Sequence, residues 1–379
     1  MNPTVKPAVK PAAPGGERWR QAAVRVLTGD TPGQAARAAG YAGAEAFRQD
    51  CLVHGHATPD ALRQWGGRGR YRIDYGGPFH LHQTLGYLGR DPHNLAERVR
   101  GRRYLRQFPV SGEAVRVELH LDERFCTVEA RRPRSAERAL ELHERLVRFL
   151  GLSQPLHAFY AAAGKHAVMG PLVRRFAGVR IPQLPTLWEA LCWAVIGQQI
   201  NLAFAYRLRN RLIARSHGAV LDAAPDAVPG AVLDAAPDEP LAFPAPRQVL
   251  RLRPGDLLAL QFSRQKTRYL LGLAEACDTG DLAGLEPGGD HDWPAVEARL
   301  LAQTGVGPWS AAYAMMRGLG YMDGLPVGDS GLRTALQRSF ALKSPPTVRE
   351  QEELMAPFRP YRGLATYYLW KSLAQTAAE

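Results

Sequence analysis

ARLLAQTGVGPWSAAYAMMRGLGYMDGLPVGDSGLRTAL, residues 298–336, is the stretch on which the reading of the fold turns. Its helical pattern runs to Thr304, breaks at Gly305-Val306-Gly307 and resumes at Pro308, whose missing N–H has no partner to lose at a first helical position. Two glycines in so short a turn let the backbone approach a ligand closely. The helix behind them opens with unpaired N–H groups and the positive end of its dipole. Thr304, Gly305, Val306 and Gly307 are therefore candidates to hold a phosphate. A plain helix–helix corner would read the same way, so the turn alone decides nothing. Beyond it, Trp309 and Tyr313 stand four apart, on one helix face. Asp329 directly precedes SGLRTAL, where an N-cap belongs.

Working outward, the chain reads as helices from about Leu184 onward. Thr186 and Glu189 spell a capping box at the head of LWEALCWAVIG, and Asn201 is placed to cap LAFAYRLRNRLIARS. Residues 218–229 and 230–241, GAVLDAAPDAVP and GAVLDAAPDEPL, nearly repeat each other. Two copies are too few for a solenoid, so 218–245 reads as a low-complexity surface insertion. Residues 71–182 have a different pattern: YRIDY as a strand, PFHLHQTLGYLGR as a helix, and AVRVELHL and FCTVEARR as a hairpin around Asp122-Glu123. A helix capped by Ser135 follows, with Leu142, Leu146, Phe149 and Leu150 on its apolar side. Ahead of these, residues 17–66 form short Ala-rich helices in a helix-turn-helix layout, with Thr31 as N-cap, Pro32 behind it and a turn at Gly40. WGGRGR (65–70) reads as a linker, and the Pro/Lys-rich 1–16 as a disordered tail.

The formal net charge is +12, and only six of the 48 basic residues are Lys. An excess carried by Arg, whose planar fork suits phosphate, favours a polyanionic partner. The four cysteines, Cys51, Cys126, Cys192 and Cys277, show no metal-ligand or disulfide spacing and read as buried apolar groups in a reducing compartment. The N-terminus lacks the apolar core of a secretion signal. The apolar run around Leu187–Ile196 contains Glu189 and is too short to span a bilayer. A cytoplasmic protein is expected, with no metal, no cofactor and no membrane partner.

Taken together, these motifs resemble the helix-hairpin-helix base-excision glycosylases, in particular the AlkA type of 3-methyladenine-DNA glycosylase II. The resemblance follows the family's order over about residues 71–375. It runs through YRIDYGGPFHLHQTLGYLGR (71–90), LWEALCWAVIGQQINLAFAYRL (187–208), FSRQKTRYLLGLAEA (262–276), the hairpin, and PFRPYRGLATYYLWKSL (357–373). By position it implies Asp329 as the catalytic carboxylate and Trp309, Tyr313, Trp370 and Tyr87 as the base pocket. It also implies DNA contacts from the hairpin, from Gln198 and Gln199 in the wedge turn, and from Lys266. Some relatives carry an apolar wedge where Gln199 stands here. Bifunctional relatives carry a lysine nucleophile where Trp309 stands here, which implies hydrolysis without strand cleavage.

TPGQAARAAGYAGAEAF…HATPDALRQ resembles the second helix-turn-helix of AraC-type regulators, with Cys51 and His56 where an aromatic and a glycine are usual. The expected fold is therefore multidomain, α+β and all-α. After the tail 1–16 come an AraC-like helix-turn-helix module (17–66), an α+β domain with an antiparallel sheet (71–182) and an all-helical helix-hairpin-helix glycosylase domain (183–379). The expected activity is that of a monomeric, monofunctional glycosylase on double-stranded DNA containing alkylated purines. The rival is a non-catalytic DNA-binding regulator.

Overall fold

The computed structural model describes residues 15–131, 134–218 and 239–376. The tail 1–14 and most of the duplicated segment, 219–238, lie outside the described residues.

Four helices open the fold: α1 (Gly15–Leu27), α2 (Pro32–Ala38), α3 (Ala44–His54) and α4 (Pro59–Arg68). As the sequence indicates, Thr31 caps α2, its Oγ1 accepting from the Gln34 N–H while Gln34 accepts from the Thr31 N–H. The expected linker at 65–70 is corrected. Trp65 and the residues up to Arg68 belong to α4, and Arg70 already starts the first strand. Trp65 is fully buried and stacks on Tyr71 with ring centroids 4.5 Å apart. Gly66 is there for close approach, since a Cβ would fall 2.5 Å from the Leu27 carbonyl oxygen.

The sheet contains β1 (Arg70–Asp74), β2 (Glu97–Arg100), β3 (Arg103–Val110), β4 (Glu113–Leu121) and β5 (Phe125–Ala130), with α5 (Leu81–Leu88) between the first two. Strand order is β1-β5-β4-β3-β2, and every pairing is antiparallel. One cross-strand row, Tyr71, Val128, Leu119 and Tyr104, is buried throughout and packs with α6 (Ala136–Phe149). Trp19, Val26, Phe47 and Leu62 of the N-terminal helices lie in the same core. His143 of α6 fastens the two parts: its Nε2 is 2.6 Å from the Gly55 carbonyl and its Nδ1 2.8 Å from the Tyr71 hydroxyl. Burial pushes both His143 and His56 down to about 4. His56 has φ +52, the left-handed backbone that favours glycine.

The remaining helices are α7 (Leu156–Ala163), α8 (Met169–Arg175), α9 (Leu187–Gly197), α10 (Leu202–Ser216), α11 (Pro246–Val249), α12 (Pro254–Ala259), α13 (Arg264–Asp278), α14 (Trp293–Leu301), α15 (Pro308–Ala314), α16 (Ser330–Ser339), α17 (Val348–Met355) and α18 (Arg362–Thr376). They pack around two cores. One gathers Leu191, Val195, Leu270, Leu300 and Ala311 from α9, α13, α14 and α15. The other joins Phe159 and Met169 of α7 and α8 to Leu332, Leu336 and Tyr368 of α16 and α18. In packing terms α7 and α8 therefore go with the C-terminal helices, although they precede residue 182.

A buried ionic cluster ties the sheet to these helices, and here too the sequence reading is corrected. Thr186 does accept from the Glu189 N–H at 3.2 Å, but the Glu189 carboxylate does not complete the box. It reaches instead to Arg106 of β3 and to Arg209 of α10, the latter at 2.9 Å. Two buried guanidiniums attract a carboxylate more strongly than one neutral backbone N–H. Glu97 of β2 also pairs with Arg106, at 3.2 Å. Burial would push the Glu97 carboxyl up, but Arg106 and Arg209 outweigh it and hold the group below the usual range.

Candidate active site

The site forms where α15, α16 and α18 converge, and Asp329 is its centre. The residue is the N-cap of α16, with Oδ1 accepting from the Leu332 N–H at 2.7 Å. The same Oδ1 accepts from Trp370 Nε1 at 2.9 Å, and Oδ2 accepts from Trp309 Nε1 at 3.0 Å. One lone pair of Oδ2 is therefore left over. Asp329 is half-buried, and among the described residues no cation lies within ion-pair distance of it. Neutral donors thus orient the carboxylate without cancelling its charge.

The neighbouring backbone is arranged for this grip. Gly331 in the first turn of α16 lets the Trp370 ring come close, since a Cβ there would lie 3.3 Å from it. The start of α18 is anchored by Arg362, which donates to both carboxylate oxygens of Asp323 at 2.8 and 2.7 Å. Trp309 and Tyr313 stack at 5.3 Å between centroids, 15° from parallel, as their four-residue spacing suggests. Tyr367 meets Trp370 edge-on at 6.5 Å and Tyr87 of α5 at 6.1 Å. Of the four aromatic residues expected from the sequence, Trp309 and Trp370 hold the carboxylate directly, Tyr313 stacks on Trp309, and Tyr87 is linked to Trp370 through Tyr367.

Several residues at this site were not anticipated. Arg317 donates to the Tyr87 hydroxyl, and the exposed Arg90 lies 3.8 Å over the Tyr87 ring. Burial pushes the Tyr87 hydroxyl up, but Arg317 and Arg90 outweigh it and bring it below its ordinary value. Lys371 sits over the rings of Tyr367 and Tyr87 at 5.4 and 5.6 Å. Burial, then Arg90 and Arg317, lower its ammonium to about 8. The signal was available: Trp309, Tyr313 and Arg317 share one four-residue rhythm, and a charge on a buried apolar face asks for a reason.

The two turns expected to meet DNA lie side by side. Gln198 Nε2 donates to the Gly305 carbonyl at 3.0 Å and to Ser310 Oγ at 3.2 Å, bracing the 197–201 turn against the hairpin. Gln199 is exposed at φ +56, and Asn201 caps α10 through the Phe204 N–H. Lys266 donates to the Ile196 carbonyl at 2.7 Å, holding the end of α9. Within the hairpin, Thr304 and Gly307 are exposed and Val306 is buried. Gly305 has φ +93, and a Cβ there would fall 2.3 Å from the Tyr269 ring, so no other residue fits.

Comparison with known proteins adds to this geometry. Residues 192–360 match the HhH-GPD superfamily of base excision DNA repair proteins. The chain is 32% identical to a Bacillus subtilis DNA-3-methyladenine glycosylase over 222 residues, covering 59% of this chain and 69% of that protein. It is 29% identical over 378 residues to a probable bifunctional transcriptional activator/DNA repair enzyme AlkA of Mycobacterium tuberculosis, covering 94% of this chain and 70% of that protein. In fold it resembles a 3-methyladenine DNA-glycosylase from Archaeoglobus fulgidus (TM-score 0.66, 18% identity, 79% of this chain and 97% of that one). It also resembles a Clostridium acetobutylicum 8-oxoguanine glycosylase/lyase solved with double-stranded DNA (TM-score 0.60, 13% identity, 82% and 97%).

Proposed function

The chain belongs to the DNA-3-methyladenine glycosylase family within the helix-hairpin-helix base-excision repair superfamily, and from that premise we propose that it releases alkylated purines by hydrolysis at Asp329. The observation that carries this reading is the grip on Asp329: two indole N–H groups orient its carboxylate, yet leave its charge uncancelled. A flipped base enters beside Trp309, Tyr313 and Trp370, whose electron-rich faces favour a cationic alkylated ring. As the N-glycosidic bond breaks, positive charge develops on the sugar. The free lone pair of Oδ2 is the group placed to stabilise that cation or to orient the attacking water. A non-catalytic regulator would have no use for such an arrangement.

DNA is held at the hairpin residues Thr304–Gly307 through the backbone N–H groups of Thr304, Gly305 and Gly307, that of Val306 being bound to the Gln303 carbonyl at 3.1 Å, and Gln199 fills the space left by the flipped base. Gln198 and Lys266 act behind these contacts, by fixing the turn that carries Gln199. The N-terminal helices serve as a packing module, because their apolar faces are used up in the core of the sheet. The protein acts as a monomer.

Asp329→Asn tests the assignment. The amide keeps the cap but must turn an N–H on one indole, and it carries no charge. Single-turnover excision should fall by about 10²–10⁴-fold, the range of a positioned acid–base group, while DNA binding persists. A folded Asn variant with wild-type rates would remove Asp329 from the chemistry. The hydrolytic route has its own test, since Trp309 stands at the position of the lyase lysine. Borohydride with abasic DNA should trap no covalent adduct, and efficient trapping abolished by replacing one lysine would establish a lyase.

A further inference from the structure

Arg317 is 3% exposed, yet among the described residues no carboxylate lies within ion-pair distance of it. Its Nη1 donates to the Tyr87 hydroxyl, and its Nε is buried with no partner among those residues. The guanidinium lies 5.0 Å from the Tyr87 ring centroid and 5.9 Å from that of Tyr313. The buried Arg106 and Arg209, by contrast, each meet Glu189. A buried cation without a counter-charge is costly unless a ligand supplies the missing acceptor.

The Tyr87 oxygen is occupied as an acceptor, so its hydrogen is left to donate. Arg317 and the Tyr87 hydroxyl thus offer only donors, beside the Tyr313 ring that the proposed function assigns to the base pocket, with the Arg90 and Lys371 cations near Tyr87. Stacking on Trp309 and Tyr313 reads the face of a base and treats most purines alike. The donor pair reads its edge. A purine with a carbonyl oxygen there gains a charge-assisted hydrogen bond, whereas one with an exocyclic amine meets donor against donor.

We propose that Arg317, with Tyr87, is a specificity-determining donor that selects flipped bases presenting a carbonyl oxygen, such as 7-methylguanine, over bases presenting an amine, such as 3-methyladenine. The inference rests on the reading that the aromatic slot at Asp329 takes the flipped base. Both test bases are cations, so charge does not separate them.

Methylated duplex DNA offers both lesions to the intact protein in one digest, and mass spectrometry of the released bases gives the two rates. Each is divided by its spontaneous release rate, because 3-methyladenine leaves more readily by itself. The wild-type protein should show the larger enhancement for 7-methylguanine. Arg317→Met should lower the ratio of the two enhancements by about 10–100-fold, the worth of one hydrogen bond to a charged donor. Tyr87→Phe, which keeps the ring, should move the ratio the same way by less, and carries the test if the Met variant does not fold. An enhancement for 3-methyladenine equal to or above that for 7-methylguanine would overturn the proposal, as would a ratio unchanged in the folded variants. Release of neither base by the wild-type protein would instead defeat the glycosylase reading on which the proposal rests.

Discussion

Asp329 and Glu189 are both acidic residues at the head of a helix, and both grip two side chains from other elements. Asp329 holds the indoles of Trp309 and Trp370, while Glu189 holds the guanidiniums of Arg106 and Arg209. The difference lies in the partners. Glu189 is 2% exposed and faces two cations, so its charge is consumed in joining sheet to helices. Asp329 is half-buried and faces neutral donors, so its charge is oriented but still available. A carboxylate matched by cations builds architecture, whereas one held by neutral N–H groups keeps the charge that the proposed role of Asp329 requires.

The largest effect that could break this comparison is on stability. Glu189→Ala strands two buried cations and should cost about 3–5 kcal/mol, read as a lowered urea midpoint. A loss under 1 kcal/mol would mean that the cluster does not join the two parts. Excision by whatever fraction remains folded should stay close to wild type.

A smaller effect sharpens the contrast through pH. In the ionic cluster, Arg106 and Arg209 hold the Glu97 carboxyl below its usual range. His143 and His56 behave differently. They are held neutral in the fold at about 4, against about 6.5 unfolded, so the stability they contribute is complete above 6.5 and is lost as pH falls from there toward 4. By pH 5 each should cost about 1–2 kcal/mol, and urea melts of the wild type and of His143→Phe at pH 7 and pH 5 check this. The loss should shrink in the Phe variant. An identical acid loss in both proteins would place the sensitivity elsewhere.

Much of the candidate site's geometry was legible because it rests on local rules. Asp329 at an N-cap, Trp309 and Tyr313 four apart, and a Gly-x-Gly turn closed by Pro308 are all short-range patterns. What escaped depends on distant partners. Glu189 completes a capping box on paper, but arginines 83 residues before it and 20 after it compete for its carboxylate. Strands β2 and β3 went unread because Arg106, an inward-facing charge, interrupts the alternation of RYLRQFPV, and only Glu97 and Glu189 make that charge tolerable. WGGRGR looked like a linker because the approach of Leu27 to Gly66 is invisible locally. Arg317 was passed over for a related reason, since its meaning appears only once Tyr87, 230 residues earlier, is beside it.

The most direct test of the central claim is the single-turnover excision rate of Asp329→Asn on methylated duplex DNA, set beside that of Glu189→Gln at a temperature where both are folded. The rate should be lower by about 10²–10⁴-fold for Asp329→Asn and near wild type for Glu189→Gln. Melting temperatures should run the other way, with Glu189→Gln the less stable protein. A wild-type rate for folded Asp329→Asn, or an equal loss of rate in both variants, would contradict that claim.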